Sequence, residues 1–336
     1  MFTRRRGLSL ALFILLAPPG AAPKEARAER PPALDWERLL GWLPEDTETV
    51  IVAQGPFEIP KQDPSQFTFR EVAQLLPAGS MFTLRGGILL KELLGQRVLC
   101  AIEGSRRFTS PRGLGLMPYQ GCHIVQFEPT SYDTVRKAFQ TCEAKAEEKF
   151  ELAGEQVAVF TEKLEDDMWS FFVSQPRPGV LICATDQAFI AETLKRIGKR
   201  SESRALPKEL PEWKHVDVKA PVWAVRHYSK VSAENDPSSP LRPKAAANVP
   251  DSAAVGFVFW YNPERDNVAR ARYLSGAKDA IKLVETRWNQ PSEGLVPKIN
   301  GSGQGSVEIS MPVSEEETAG SFLFVLMGYL GHAVYL

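Results

Sequence analysis

The feature that most constrains the fold is an order of strand-like and helix-like runs that occurs in both halves of the chain. In the first half, two predicted strands are followed by a helix, two hairpins and a second helix, at residues 97–104, 121–129, 131–142, 149–162, 168–186 and 187–198. The predicted strands are rich in β-branched and aromatic residues, whereas the helices place apolar residues three and four positions apart. Ala153-Gly154 and Pro176–Gly179 supply the hairpin turns.

The second half repeats this order with two strands, an alternating run, a helix, a hairpin and a final helix, the first five at 220–229, 252–263, 268–275, 277–288 and 295–313. Hairpins interspersed with helices predict antiparallel sheets covered by helices, which is an α+β fold. The repeated order suggests two sub-domains with a ferredoxin-like layout. Because the halves share little residue identity, an internal duplication stays a hypothesis.

The first 28 residues have the three-part organisation of a secretory signal peptide. Arg4–Arg6 form the basic start, Leu8–Ala17 the apolar run, and Ala26–Ala28 a small-x-small cleavage site. The apolar run of about ten residues is too short to span a bilayer. We therefore predict cleavage after Ala28, and cleavage after Ala22 or an uncleaved N-terminal anchor are the alternatives.

Removal of residues 1–28 deletes five basic groups and one acidic group, which changes the formal net charge from −1 to −5. A chain without an overall positive field is not predicted to bind nucleic acid. Beyond the signal peptide we predict an N-terminal α+β sub-domain over 29–198, a charged, proline-punctuated linker over 199–219 and a C-terminal α+β sub-domain over 220–336.

The chain ends in eighteen residues without a formal charge, 319–336. Ser314 and Glu317 form a capping-box pattern, which predicts that a helix starts just before this segment. Glycines, Ser321 and His332 dilute its apolar character, and no basic residue follows to hold a far end in a membrane. We therefore predict that the segment is buried in the fold, with a membrane anchor as the alternative.

Four cysteines, an even number, occur in a chain that is predicted to be exported, so disulfides are possible. Cys100 and Cys122 lie on two strand-like runs that are expected to be neighbours, and we predict a bridge between them. The alternative is that all four, with Cys142 and Cys183, are buried free thiols, because cysteine packs well as a small apolar side chain.

No compact catalytic motif occurs in the sequence. The four histidines show none of the tight spacings that bind metals, and both the GxSxG elbow and the P-loop pattern are absent. We expect no cofactor, and we interpret His123 as a packed strand histidine. A hydrolase site would have to be assembled from separated residues such as His227 and Glu264.

A basic loop is the one surface segment that the sequence favours for binding. It carries Arg106, Arg107, Phe108 and Arg112, and an aromatic among cations can bind an acidic polymer or partner. Solvated loop charges are the alternative interpretation. The loop and its counterpart at 232–251 connect equivalent predicted strands, and long connections often carry function.

Two phrases carry a resemblance to known sequences: WLPEDTETVIVAQGPFEIP at 42–60 and VLICATDQAFIAETLKRI at 180–197. They resemble uncharacterised exported bacterial proteins of unknown-function families, which repeat strand-turn-strand-helix units. The resemblance covers about the first 200 residues. It implies export and a fold of repeated β/α units, and it implies no catalytic residues.

These observations predict a secreted or periplasmic protein that binds a protein or an envelope ligand and has no enzymatic activity. An extracytoplasmic hydrolase is the alternative. A structural protein that is tethered to the envelope by its C-terminus is a third hypothesis.

Overall fold

The computed structural model describes residues 36–62, 66–107, 120–164, 167–199, 203–227, 256–274, 298–303 and 305–313. These residues belong to one compact unit. Within them, twelve strands form one sheet in which every neighbouring pair is antiparallel. The predicted α+β class with antiparallel strands is therefore confirmed.

The strands have the following bounds: β1 (Thr49–Glu58), β2 (Arg97–Arg107), β3 (Gln120–Phe127), β4 (Glu148–Leu152), β5 (Glu155–Leu164), β6 (Asp167–Arg177), β7 (Val180–Ala184), β8 (Val222–Arg226), β9 (Gly256–Tyr261), β10 (Val268–Leu274), β11 (Lys298–Gly303) and β12 (Ser306–Pro312). Their order across the sheet is β11-β12-β10-β9-β8-β1-β2-β3-β7-β6-β5-β4. The two edge strands of the described sheet are thus β11 and β4.

Strand β1 joins the two halves of the sheet. Thr49 is paired with Ser105 of β2 on one side and with Arg226 of β8 on the other. The Gln54 side chain adds to this junction, because it donates hydrogen bonds to the Val218 and Ala220 carbonyl oxygens at 2.6 and 2.9 Å. Strands from both halves of the sequence therefore share one hydrogen-bonded sheet.

Five α-helices are described: α1 (Trp36–Leu40), α2 (Phe69–Leu75), α3 (Gly79–Leu93), α4 (Tyr132–Ala144) and α5 (Gln187–Gly198). Two of them begin with the caps that favour helix initiation. Thr68 and Glu71 form a capping box at α2, and the Asp186 carboxylate accepts a hydrogen bond from the Phe189 N–H at α5. The predicted span of α5, 187–198, is confirmed.

Each face of the sheet has its own apolar core. On one face, which we call the α3 face, residues of α2, α3 and α4 such as Phe69, Leu84 and Phe139 pack on the strands. On the other, the α5 face, residues of α1 and α5 such as Leu40 and Phe189 do so. Because side chains alternate along a strand, the inner strands such as β1, β2, β3 and β8 contribute to both cores. The buried apolar residues of β10 and β12 belong to the core of the α3 face.

The segment that was predicted as a linker packs against the α5 face. Ala205 and Leu206 are buried, and a short 3₁₀ turn, Pro211–Lys214, lies against β8 and β9. Trp213 contacts Trp36 and Trp223, with ring centroids 6.1 and 5.8 Å apart. The described part of this segment is therefore attached to the sheet by apolar contacts.

The expected Cys100–Cys122 bridge is not formed. All four cysteines are buried and none of them is in a disulfide, as in the alternative interpretation. In the register of β2 and β3, Cys100 lies opposite Gln126 and Cys122 opposite Gly104, four positions away along the strand. Four residues of strand span about 13 Å, which is beyond the reach of a disulfide.

Two predicted segments, the helix at 277–288 and the C-terminal stretch at 319–336, lie outside the described residues, as does the predicted signal peptide. Among the helices that the structure describes, none combines the length and apolar character that a membrane span requires.

Candidate functional site

The two long connections that the sequence indicates attach at the same end of the sheet. Strands β2 and β8 are both antiparallel to β1 and flank it, so they run in the same direction. Arg107 and Arg226, their last residues, therefore lie on either side of the start of β1. We call this end of β1, β2, β3 and β8 the polar end of the sheet.

A histidine–carboxylate pair lies at the polar end on the α5 face. His227, directly after β8, donates from Nδ1 to Oε1 of Glu212 at 2.8 Å. The Glu212 side chain is only 3% exposed, whereas that of His227 is 38% exposed. Because the carboxylate fixes the ring through Nδ1, the second ring nitrogen, Nε2, remains for a proton or a ligand.

The local backbone explains why Glu212 fits at this position. Glu212 is in the 3₁₀ turn that packs on β8 and β9. A Cβ atom at Gly256, the first residue of β9, would lie 2.4 Å from Glu212 Oε1. Glycine at 256 therefore leaves the space that the carboxylate occupies.

A second histidine lies beside the pair. His215 Nδ1 is 3.0 Å from an Arg272 guanidinium nitrogen, which can only donate, so Nδ1 accepts. Arg272 also forms an ion pair with Glu308 on the neighbouring strand β12. We call Glu212, His215, His227, Arg272 and Glu308 the Glu212 cluster.

The pKa values of the two histidines of the Glu212 cluster are shifted in opposite directions. The hydrogen bond to Glu212 raises the pKa of His227 above its ordinary value of 6.5, and the negative charge of Glu48 adds to this. Burial lowers the pKa of His215, and the nearby Arg272 charge lowers it further. At a given pH, His227 is thus protonated to a greater extent than an ordinary imidazole, and His215 to a smaller extent.

A second histidine–carboxylate pair is buried on the α3 face. Glu103 of β2 lies opposite His123 of β3, and both side chains are at most 3% exposed. His123 Nδ1 donates to the Pro77 carbonyl oxygen at 2.9 Å and is 3.6 Å from Glu103 Oε2. Within the described part of the chain, Glu103 Oε1 and His123 Nε2 have no hydrogen-bond partner.

Burial keeps this second pair uncharged. Desolvation raises the pKa of Glu103 from 4.5 to about 8 and lowers that of His123 from 6.5 to about 4. Between these values the carboxyl group is protonated and the imidazole is neutral. The interpretation of His123 as a packed strand histidine agrees with its complete burial.

Two of the four residues named for the predicted basic loop, Arg106 and Arg107, are described in the structure. Arg106 ends in ion pairs with Asp46 at 2.6 Å and Glu192 at 2.8 Å, and its guanidinium lies over the Phe189 ring. It therefore links β2 to α5. Arg107 is the last residue of β2. Phe108 and Arg112 lie outside the described residues.

In the structure, the carboxylate beside His227 is that of Glu212 and not that of Glu264. Glu264 is exposed and lies 3.3 Å from Arg70, whereas Glu212 occupies the position next to the imidazole. Glu212 was missed because it falls in the segment predicted as a linker. The only signal in that segment was PEWKH, in which a proline and a tryptophan interrupt a polar run.

Among the described residues, no group of three or more histidine, cysteine, aspartate or glutamate side chains has the geometry to hold a metal ion. A shallow cleft between α3 and α4, lined by Ile88, Lys91, Glu92 and Lys145, is separate from both histidine–carboxylate pairs.

No family model, no curated protein and no solved structure matches the chain. The candidate site is therefore interpreted from its own geometry.

Proposed function

We propose that the protein is an exported binding module whose recognition surface lies at the polar end of the sheet. The observation that carries this proposal is the attachment of both long connections at that end, on either side of β1. The Glu212 cluster lies at the same end and supplies a half-exposed histidine on a buried carboxylate. Such a combination of long connections and a fixed polar group suits recognition of a protein or envelope ligand.

The proposal includes the compartment and the architecture. The signal-peptide pattern of residues 1–28 supports secretion or a periplasmic location. A relation between two ferredoxin-like sub-domains, at 29–198 and 220–336, is supported by the strand order. Strands β2 and β3 step outward from one side of β1, and β8 and β9 step outward from the other. The intact mass of the exported protein tests cleavage after Ala28.

Site-specific photo-cross-linking in intact cells tests the recognition surface. A photo-reactive residue at Lys214, which is exposed beside the Glu212 cluster, is compared with one at Arg97, at the opposite end of β2. We expect a discrete cross-linked species from position 214 and none from position 97. Equal cross-linking at both positions, or none at either, would contradict a recognition surface at the polar end.

A second candidate function, hydrolysis, is favoured by the 2.8 Å contact between His227 and Glu212. In this hypothesis His227 removes a proton from an attacking water through Nε2, while Glu212 orients the ring and stabilises the imidazolium that forms. General-base catalysis contributes about 10²- to 10⁴-fold, so loss of the imidazole should remove most of any activity.

The test of this alternative is a panel of chromogenic ester, phosphoester and peptide substrates. His227→Ala should lower kcat by at least about 100-fold with little change in KM. Glu128→Gln, which alters a carboxylate at the opposite end of the sheet, is the control and should leave the rate unchanged. Activity that survives His227→Ala would exclude this residue as the base.

A further inference from the structure

Strand β4 is an edge strand whose sequence is complementary to itself. Within the described sheet it pairs with β5 on one side only. Its five residues, Glu148–Leu152, place a cation at 149 and an anion at 151 around a central phenylalanine. Exposed strand edges can pair with a second chain, and charges on the edge decide whether such pairing is attractive.

The hairpin that follows β4 determines which main-chain groups face outward. Ala153 and Gly154 both have positive φ, 54° and 86°, as in the two-residue turns that match the strand twist. The residues that flank such a turn, Leu152 and Glu155, form a hydrogen-bonded pair. Since these pairs alternate, residues 150 and 152 direct their main chain to β5, and Lys149 and Glu151 direct theirs outward.

One antiparallel register uses these outward groups with favourable charges. If a second β4 is related by a two-fold axis at Phe150, then Lys149 of each copy lies opposite Glu151 of the other. These are hydrogen-bonded pairs, so the register forms four main-chain hydrogen bonds and two opposite-charge pairs. The registers that are two residues away place Lys149 opposite Lys149, or Glu151 opposite Glu151, and are disfavoured.

The side chains of β4 fit this register. Lys149 lies opposite Ala158, which is in the core of the α3 face, so Lys149 and Glu151 extend from that face. Lys149 is half-exposed, with Glu143 3.9 Å away. Phe150 is on the other face beside Phe172, with ring centroids 6.4 Å apart, and would meet its symmetry mate there.

The opposite edge of the described sheet lacks these properties. The pairing of β11 with β12 shifts register between Ile299 and Ser302, so that edge is irregular. Bulges of this kind prevent edge-to-edge pairing. The favourable edge is therefore β4.

We propose that β4 pairs in antiparallel register with β4 of a second copy of this chain, so that two sheets become continuous across a two-fold axis. Such a dimer is isologous, because each copy presents the same strand. The edge is short, so the association is weak and depends on protein concentration.

Charge reversal provides a direct test of this dimer. The mature protein is studied by sedimentation equilibrium from about 1 µM to about 1 mM, the range in which a weak dimer dissociates. Lys149→Glu and Glu151→Lys each replace two attractive pairs with two repulsive ones, and each should raise the dimer Kd by at least about tenfold. The thermal unfolding of each variant reports whether the fold is retained.

Two further samples distinguish this register from any other contact. The double variant K149E/E151K restores the charge pattern in reverse and should restore the Kd. An equimolar mixture of the two single variants should form a heterodimer, because every opposing pair then has opposite charges. A wild-type protein that stays monomeric, or folded single variants that neither weaken the dimer nor complement each other, would overturn the proposal.

Discussion

The two histidine–carboxylate pairs contain the same chemical groups in different surroundings. Glu103 and His123 are completely buried, and burial moves their pKa values in opposite directions, to about 8 and about 4. Glu212 is buried too, but His227 is 38% exposed, and its pKa is raised by its carboxylate partner. The difference teaches that access of water to one partner helps to decide whether burial or the carboxylate dominates the pKa of the histidine in such a pair.

The distance between the histidine and the carboxylate also differs between the two pairs, and it acts on the pKa of the histidine in the same direction as the difference in burial. The contact from His123 Nδ1 to Glu103 is 3.6 Å, and the ring donates its hydrogen bond to Pro77 instead. His227 Nδ1 lies 2.8 Å from Glu212. A close hydrogen bond can compensate the desolvation of a charge, whereas a loose contact cannot. The buried pair is therefore suited to stability and the half-exposed pair to chemistry.

The largest expected effect is the removal of the buried imidazole. His123→Ala creates a cavity in the core and leaves the Pro77 carbonyl without its donor, so we expect a loss of about 3 kcal/mol in the free energy of unfolding. His227→Ala is the matched control. It should cost less than about 1 kcal/mol, because water can enter the half-exposed space and donate to Glu212.

Denaturant unfolding of the two alanine variants at pH 6 measures both values. Equal losses at positions 123 and 227 would contradict the assignment of a structural role to one pair and a solvent-accessible role to the other.

The second expected effect concerns pH. The buried pair should produce a pH range in which its contribution to the free energy of unfolding stays constant. Glu103 binds its proton more tightly when folded, so its contribution is complete below pH 4.5 and is lost as the pH rises to about 8. His123 binds its proton less tightly when folded, so its contribution is complete above pH 6.5 and is lost as the pH falls to about 4.

Between pH 4.5 and 6.5 these two contributions cancel, because each state holds one proton: on the carboxyl group when folded and on the imidazole when unfolded. From pH 6.5 to 8 only the loss of the Glu103 contribution remains, and it lowers the free energy of unfolding by about 2 kcal/mol. Glu103→Gln should remove this loss and replace the plateau with a stability that rises up to pH 6.5. An unchanged pH profile in Glu103→Gln would contradict the burial of a protonated carboxyl group.

The smallest expected effect concerns the half-exposed pair, and it is measured as a change in the pKa of His227. Glu212→Gln removes the charged acceptor of His227 and should lower the pKa of His227 toward 6.5, as measured by NMR of the ring protons. Glu103→Gln should leave the His227 titration unchanged. Since His227 has a raised pKa, its contribution to stability is lost as the pH rises above 6.5, and Glu212→Gln should reduce that loss.

Local patterns in the sequence predicted much of the fold. The α5 span and the Ala153-Gly154 turn are confirmed, because helix caps such as Asp186 and tight turns depend on nearby residues. The apolar run at 88–96 is typical of a short helix, but helix α3 begins at Gly79 and ends at Leu93. Glycines at 86 and 87 weaken the helical pattern there, and burial of Met81 and Leu84 against the sheet overrides that weakness.

The arrangement of strands and the candidate site depend on contacts between distant residues. Nothing in the local pattern of β1 indicates that it pairs with β8, and the absent Cys100–Cys122 bridge shows that neighbouring strands do not reveal their register. Glu212 reaches His227 through the packing of a segment that is polar in sequence. Composition predicts that such a segment is exposed, whereas the contact of Trp213 with Trp223 of β8 attaches it to the sheet.

The position of β1 between β2 and β8 also has a consequence for the order of folding. During synthesis, β1 to β7 emerge before residue 203, whereas β8, the second partner of β1, arrives only afterwards. Gln54 must then find Val218, 164 residues later in the chain. Until it does, one edge of β1 can pair with a wrong strand, so the newly synthesised chain is most exposed to mispairing and to proteolysis in this interval.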